Sequence, residues 1–220
     1  LVQLGELTAT NNAGAVTNLT LHGTSVATFK IFGAGDGTNI NTVNLGTGTG
    51  TVTMTAAIDM AEDAGGKMVL NITEGVTYAG AITDGADAGT GNQINVTGNA
   101  EISGSVDLGN SGGTDDSSIV VTDGKTLTLS GTGVVTLTAD DLVLGTSTAG
   151  ATLKVTGDKT ITAANTIGSA DGKGVLDIDA TVIFVGNVGI EGSKDLESIS
   201  IKDGETLHVK GAKLAALAIT

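Results

Sequence analysis

The sequence that decides the fold is LESISIKDGETLHVKGAKLAALAIT, residues 196–220. One apolar spacing, Φ-x-x-Φ-x-Φ with Φ aliphatic or Phe, occurs in it at positions 196, 199 and 201 and returns 18 residues later. Its copies in the chain are at Val16/Leu19/Leu21, Val26/Phe29/Ile31, Ile40/Val43/Leu45, Leu196/Ile199/Ile201 and Leu214/Leu217/Ile219. A return of short strands after about 18–24 residues is what one coil of a β-solenoid requires, because each coil stacks its aliphatic residues on those of the coil before.

The rest of the chain alternates with period two, which is typical of strands. TGTGTVTMT (47–55) and KTLTLSG (125–131) place threonines on one face and Gly or aliphatic residues on the other. Helix is expected at most over 55–63 and 212–218. We therefore predict an all-β, irregular parallel β-solenoid (β-helix). At about 20 residues per coil and ~4.8 Å between stacked strands, some ten coils would give a rod roughly 50 Å long.

An antiparallel β-sandwich is the alternative fold. VTDGKTLTL (121–129) and IKDGETLHV (201–209) place Asp-Gly between alternating strands, which is a strong hairpin signal. The absence of Pro and the 35 glycines favour stacked corners instead. We expect one continuous unit over residues 1–220, with a loop or boundary at 109–118.

The solenoid predicts which residues are buried, with the alternating threonines exposed. The predicted core residues are Leu127, Leu129, Leu137, Leu153, Val155, Leu176, Ile178, Ile199, Ile201, Leu207, Val209, Leu217 and Ile219. Both ends of the chain, LVQLGEL (1–7) and KLAALAIT (213–220), are more apolar than its middle. Since an uncapped strand edge pairs with a neighbour, we expect the two ends to bury against another copy or against further parts of a longer chain.

Charge and composition exclude several classes of function. The net charge is −14, and all ten basic residues are lysines. Nucleic acid is therefore not expected as a partner, because phosphate binding depends on clustered Lys and Arg. The chain contains no Cys, so thiolate metal sites and thiol nucleophiles are excluded. No run of about 18 apolar residues occurs, and the protein is not expected to span a membrane as a helix.

The residue types do not indicate an enzyme. Paired acids on a β-helix suggest a carbohydrate-cleaving site, yet the chain has four aromatic residues and no Arg to hold a sugar. His22 follows a strand, and His208 alternates with Leu207 and Val209. Both are interpreted as solvent-facing strand residues. The threonines at positions 47, 49, 51, 53 and 55 suggest binding to ice or to a crystalline polysaccharide, but longer arrays do not recur in the chain.

Paired aspartates are candidate ligands for calcium, which takes six to eight oxygen ligands. The candidates are Asp84/Asp87, Asp115/Asp116, Asp140/Asp141 and Asp177/Asp179. Asp177 and Asp179 alternate with Leu176 and Ile178, so both carboxylates should project to one side of a strand. The same residues are also ordinary turn and surface acids. Three N-x-T sequons, at Asn18, Asn71 and Asn95, are potential glycan acceptors.

The C-terminal run 196–220, together with INTVNLGTGTGTVTMTA (40–56), resembles the β-solenoid segments of bacterial surface-layer (S-layer) proteins. VTDGKTLTLSGTG (121–133) also resembles the passenger solenoids of autotransporter adhesins. The first resemblance implies a non-catalytic, extracellular structural protein that self-assembles into a cell-surface layer or filament, with calcium as a possible cofactor and cell-surface polysaccharide as a further partner. The second implies an adhesin that binds host or glycan ligands. The calcium-binding nonapeptide repeat GGxGxDxUx of many secreted proteins is not present.

Overall fold

The computed structural model describes residues 18–21, 29–30, 40–46, 51–55, 57–60, 67–83, 91–109 and 117–220. These residues form 21 β-strands and no helix. Every strand pairing among them is parallel. The predicted parallel β-solenoid is confirmed, and the antiparallel sandwich is excluded.

The strands form three stacks, which the chain visits in turn. Stack 1 contains β1 (Asn18–Leu21), β3 (Ile40–Leu45), β6 (Lys67–Ile72), β9 (Gln93–Val96), β12 (Ser118–Val121) and the second parts of β14 (Val135–Leu144), β16 (Lys159–Gly168) and β18 (Val182–Val188). Stack 2 contains β4 (Val52–Met54), β7 (Val76–Tyr78), β10 (Ala100–Ile102), β13 (Thr126–Leu129), β15 (Thr152–Val155), β17 (Val175–Ile178), β19 (Leu196–Ile201) and β21 (Ala216–Ile219). Stack 3 contains β2 (Phe29–Lys30), β5 (Ile58–Asp59), β8 (Ile82–Thr83), β11 (Val106–Asp107), the first parts of β14, β16 and β18, and β20 (Leu207–Val209).

Within the described residues, the coils are longer and fewer than the sequence spacing predicts. Leu196 pairs with Ala216, 20 residues away, and Val106 pairs with Val135, 29 residues away. Stack 2 contains eight strands within the described residues, so its seven intervals of ~4.8 Å give about 34 Å rather than 50 Å. The prediction was wrong because the corners between strands take up more residues than a minimal coil allows.

Aliphatic ladders fill the space between the stacks, as predicted for the middle of the chain. Leu127, Leu153, Leu176 and Ile199 are register neighbours on successive coils, and each is fully buried. One buried cluster runs from Val43 to Ile199, across the predicted loop at 109–118. Most of that loop lies outside the described residues.

The prediction of burial is wrong at the last coil. Leu217 and Ile219 are 68% and 54% exposed. Ile201, Leu207 and Val209 are only half-buried, although they pack against the core. Leu217 lies opposite Glu197 on the outer face, whereas no further strand of the described residues covers the side chains of the other four.

The two short helices that the sequence allowed are not formed in the described residues. Ile58–Asp59 is strand β5, and Ala216–Ile219 is strand β21. The Asp-Gly turns also differ from the hairpin interpretation. Gly124 and Gly204 have φ of +67° and +86°, and each turn leads the chain to the next stack of the same coil.

Candidate functional site: the open end and the carboxylate clamps

The rod ends in a face of aliphatic side chains and unpaired strand edges, which we call the open end. It is formed by β20, β21 and Leu214, the last members of the three stacks. In the part of the chain that the structure describes, no strand pairs with their outer edges. Leu214 is 47% exposed, although its register neighbour Val188 is fully buried. The open end therefore exposes strand edges and apolar side chains. In the preceding coils, the equivalent groups are covered by the next coil.

Two grooves mark this end. One, of about 370 Å³, is the uncovered top of the core. Its lining residues are Ile201, Leu207, Val209, Gly211, Ala212, Lys213, Leu214 and Ile219. The other, of about 480 Å³, lies beside it and is lined on its polar side by Glu191, Asp195 and Lys213. The buried Oδ1 of Asp195 accepts no hydrogen bond from the described residues. The open end is consequently apolar at its centre and charged at its rim.

Asp177 and Asp179 project to one side of the chain as the alternation predicts, and a lysine lies between them. Lys154 Nζ is 2.6 Å from Asp177 Oδ2 and 2.7 Å from Asp179 Oδ2. Ser200 donates a further hydrogen bond to Asp177 Oδ1. The Lys154 side chain, followed by the Ser200 hydroxyl, holds the pKa of Asp177 below its usual range. A calcium ion at this pair would have to displace the ammonium group.

The remaining calcium candidates are not brought into a described cluster. Asp84, Asp87, Asp115 and Asp116 lie outside the described residues. The side chain of Asp140 also lies outside them, while Asp141 accepts a hydrogen bond from Asn165. Among the residues that the structure does describe, no three His, Cys, Asp or Glu side chains are placed to hold one metal ion. The calcium prediction stays a prediction.

Turn carboxylates bind the corner of the next coil. Asp123 accepts hydrogen bonds from the amides of Thr146 and Ser147 and from the Ser147 hydroxyl. The Ser147 hydroxyl and the Thr146 amide hold the pKa of Asp123 below its usual value. Asp158 accepts a bond from the Thr181 amide in the same way. Asp123 and Asp158 are therefore clamps between successive coils.

A longer clamp joins three coils. Glu74 accepts hydrogen bonds from the amide and the side chain of Asn99 at 2.9 and 3.0 Å. Lys125 from the following coil reaches the same carboxylate at 3.4 Å. The Asn99 amide is the main cause of the lowered pKa of Glu74. Sequence reasoning missed this clamp because its members are 25 and 51 residues apart.

Two asparagine ladders run up the outside of stack 1. Asn71 donates to Asn44 at 2.7 Å, and Asn95 donates to Asn71 at 3.1 Å. Further along, Asn187 donates to Asn165, which donates to Asp141. Asn71 and Asn95 are also sequon residues, and their amide nitrogens are engaged in the ladder. Sequence reasoning missed the ladders, although the recurrence of Asn44, Asn71 and Asn95 at the coil spacing is a signal that could have found the first of them.

One lysine is buried at a corner. Lys159 is 6% exposed, and its ammonium donates to the carbonyls of Ser130 at 2.8 Å and Gly133 at 3.2 Å. Burial lowers the pKa of this lysine. The contact joins the corner of one coil to the strand above it, and nothing in the sequence distinguished Lys159 from the surface lysines.

Those residues considered for other activities that the structure describes lie on the outer surface. His208 is exposed on β20, and His22 lies outside the described residues. Thr51, Thr53 and Thr55 are exposed, while Thr47 and Thr49 lie outside the described residues. In the described part of the chain, there is no helix of the length and hydropathy needed to cross a bilayer.

The fold places the chain among parallel β-solenoids with three stacks of strands. Comparisons with protein-family models, with curated proteins and with solved structures found no match.

Proposed function

We propose that the protein is a non-catalytic, extracellular structural protein that self-assembles into a cell-surface layer or filament. The observation that carries this proposal is the open end. A solenoid remains soluble when a polar cap or a further coil covers its end, whereas the coil that contains β21 exposes Leu214 and Ile219. Unpaired parallel strands beside apolar side chains are a template for another chain.

The contacts between coils also suit a structural protein. Coils are joined by backbone ladders, by the asparagine ladders and by the corner clamps. The surface location and a cell-surface polysaccharide partner follow from the resemblance of the sequence to surface-layer segments.

Calcium is the proposed assembly cofactor. Copies that each carry a net charge of −14 repel one another, and this repulsion is screened over only ~8 Å at physiological salt. Divalent cations bridge such copies when carboxylates from two chains meet. The acids that we assign to this role are Asp115/Asp116 and Asp84/Asp87 first, because Lys154 already neutralises much of the charge of Asp177 and Asp179.

The test is assembly of the purified chain, followed by light scattering and electron microscopy over a range of concentrations. Ordered arrays or filaments support the proposal. A strictly monomeric protein at high concentration would overturn it, and ligand binding without assembly would favour the adhesin.

The calcium role is tested in the same assay with calcium and with EDTA. The variant D115N/D116N should lose the response to calcium, while D177N/D179N should keep it. Equal assembly in EDTA would remove calcium from the proposal and leave the structural role intact.

A further inference from the structure

Three described corners of the rod turn on an Asp-Gly pair in the same geometry. In the turns 122–125, 170–173 and 202–205, the amide of the fourth residue donates to the carbonyl of the first at 3.0, 3.2 and 2.9 Å. The glycine in the third position has a φ of +67°, +64° and +86°, a conformation that glycine adopts without a steric penalty. The turns 122–125 and 170–173 are each followed by a further described coil, so their surroundings can be compared.

In the turn 122–125, the next coil holds both groups of the pair. The Asp123 carboxylate accepts hydrogen bonds from the amides of Thr146 and Ser147 and from the Ser147 hydroxyl. The Gly124 amide donates to the carbonyl of Gly150 at 2.7 Å. The carboxylate and the amide that follows it are therefore both fixed by partners in the following coil.

The turn 170–173 lacks these contacts. Asp171 is exposed, and Gly172 is only half-buried. In the described part of the chain, neither the Asp171 carboxylate nor the Gly172 amide makes a hydrogen bond. The next coil meets this turn one residue later, where the Lys173 amide donates to the Asp195 carbonyl at 3.2 Å. The Asp171 side chain is therefore free to rotate towards the Gly172 amide, which carries no side chain to obstruct it.

We propose that the pair of Asp171 and Gly172 is a site of spontaneous modification, at which the aspartate converts to isoaspartate. The Gly172 nitrogen attacks Cγ of the protonated Asp171 side chain. A C–N bond forms, the nitrogen loses its proton, and the carboxyl hydroxyl leaves with that proton as water. The product is a five-membered succinimide ring.

Water opens this ring at either carbonyl carbon. Addition at Cγ breaks the new C–N bond and restores aspartate. Addition at the main-chain carbonyl carbon breaks the original peptide bond, so that Asp171 stays joined to Gly172 through Cγ as isoaspartate. One water molecule leaves and one returns, and the reaction consumes no oxidant, reductant or cofactor.

The modification lengthens the main chain of the turn by one methylene group. This change acts directly before Lys173, whose amide makes the hydrogen bonds of the corner, to Ala170 within the turn and to Asp195 of the next coil, each at 3.2 Å. Isoaspartate should therefore shift the Lys173 amide away from its acceptors and release this corner from the next coil.

The clamp at Asp123 should slow the same reaction. Attack there requires the Gly124 amide to lose its hydrogen bond and the carboxylate to lose at least one of its own, and a hydrogen bond to a charged group is worth about tenfold or more in an equilibrium constant. The Ser147 hydroxyl and the Thr146 amide also hold the pKa of Asp123 low, which reduces the protonated form that reacts. Asp171 should therefore accumulate isoaspartate at least about tenfold faster than Asp123.

The test ages the folded 220-residue chain at neutral pH and samples it over time. Trypsin releases residues 160–173 as one peptide, in which Asp171 is the single aspartate. Electron-transfer fragmentation then distinguishes isoaspartate from aspartate at positions 171 and 123. The same chain aged in urea measures the reactivity of both pairs without the fold.

Asp171→Glu is the matched variant, because a glutamate in this place must close a six-membered ring and reacts far more slowly. The turn 190–193 shows that Glu-Gly adopts the same geometry, since the Ser193 amide donates to the Ile190 carbonyl at 3.2 Å and Gly192 has a φ of +74°. Hydrogen exchange of the Lys173 amide is the second measurement. It should become faster in the aged parent and stay unchanged in the aged variant.

The expected result is isoaspartate at position 171 that exceeds that at position 123 at least about tenfold in the folded chain, with similar amounts at both positions in urea. Equal rates at the two positions in the folded chain would overturn the proposal, as would isoaspartate at position 171 that forms only in urea. Unchanged exchange of the Lys173 amide in modified protein would contradict release of the corner.

Discussion

Gly157 is a corner glycine at which the spacing of the coils leaves no room for a side chain. A Cβ at this position would lie 1.9 Å from the carbonyl oxygen of Gly131 on the coil below, and 2.7 Å from its amide nitrogen. Contacts of this kind are not tolerated below 3.0 Å. In Gly157→Ala the two corners must therefore move apart by about 1 Å, given how closely protein interiors are packed.

That movement strains the contacts beside the corner. Thr156 donates its amide to Leu129 at 3.0 Å, and the Lys159 ammonium contacts the Ser130 carbonyl at 2.8 Å. An opening of about 1 Å takes both beyond hydrogen-bond range, at about 0.5–1.5 kcal/mol each. Overpacking adds about 1–3 kcal/mol. We expect the free energy of unfolding to fall by about 2–6 kcal/mol.

Gly124→Ala is the matched control. Gly124 lies in an Asp-Gly turn with a φ of +67°, and no atom lies within 4 Å of the position that its Cβ would take. Its substitution costs only the conformational strain of a left-handed Ala, about 1–2 kcal/mol. Urea unfolding followed by far-UV circular dichroism compares the two variants with the parent. If Gly157→Ala lost no more stability than Gly124→Ala, the close stacking of the corners would be refuted.

Three further predictions follow from the core and from the ion cluster. Leu153→Ala, at a fully buried site, should lower the free energy of unfolding by about 2–5 kcal/mol. Thr152→Ala, on the outer face, should lower it by less than about 0.5 kcal/mol. Equal losses of stability for the two variants in urea unfolding would contradict the aliphatic ladder. Burial raises the pKa of Tyr78. The neutral Tyr78 side chain therefore stabilises the fold fully below the ordinary tyrosine pKa of about 10, and this stabilisation is lost as pH rises above that value. Tyrosinate absorbance should appear only as the β-sheet signal is lost, and a titration near pH 10 in folded protein would disprove this. Lys154→Met removes the cation that holds the pKa of Asp177 low. The stability that Asp177 contributes is present above its unfolded pKa of about 3.9 and is lost on acidification, so the variant should lose about 0.5–1 kcal/mol of stability at neutral pH. An unchanged acid-unfolding midpoint would count against this ion pair.

Much of the fold follows from local patterns in the sequence. The alternation in residues 125–131 and 151–157 defines which side of each strand is apolar, and Leu127, Leu129, Leu153 and Val155 are buried accordingly. Zero prolines and abundant glycine also indicated stacked corners, which Gly157 and its contact with Gly131 illustrate. These properties depend on residues that are close in the chain.

The register between coils could not be read in the same way. Leu217 has the apolar spacing of an inward residue, yet the pairing of Leu196 with Ala216 places it opposite Glu197 on the outer face. The length of each corner sets that pairing, and corner length varies from coil to coil. The spacing rule therefore misassigned Leu217, while Ile219 keeps its place in the inward column of Ile199.

Only part of the candidate site was predicted, again because contacts between coils depend on the lengths of the corners. Alternation placed Asp177 and Asp179 on one side, but Lys154 lies 23 residues before Asp177 and meets it only because one coil separates them. The asparagines at positions 44, 71 and 95 recur at coil spacing, and a search for polar residues at that period finds their ladder. The apolar character of residues 213–220 was visible in the sequence, whereas the grooves at the open end depend on how the last three strands are arranged.

Diffraction from oriented assemblies of the 220-residue chain tests most directly whether the open end joins one molecule to the next. If copies join through this end, filaments should give a reflection at ~4.8 Å along the filament axis, because the strands of every copy then lie across that axis. Assemblies whose ~4.8 Å reflection lies across the long axis, or a protein that remains monomeric at every concentration, would contradict end-to-end stacking.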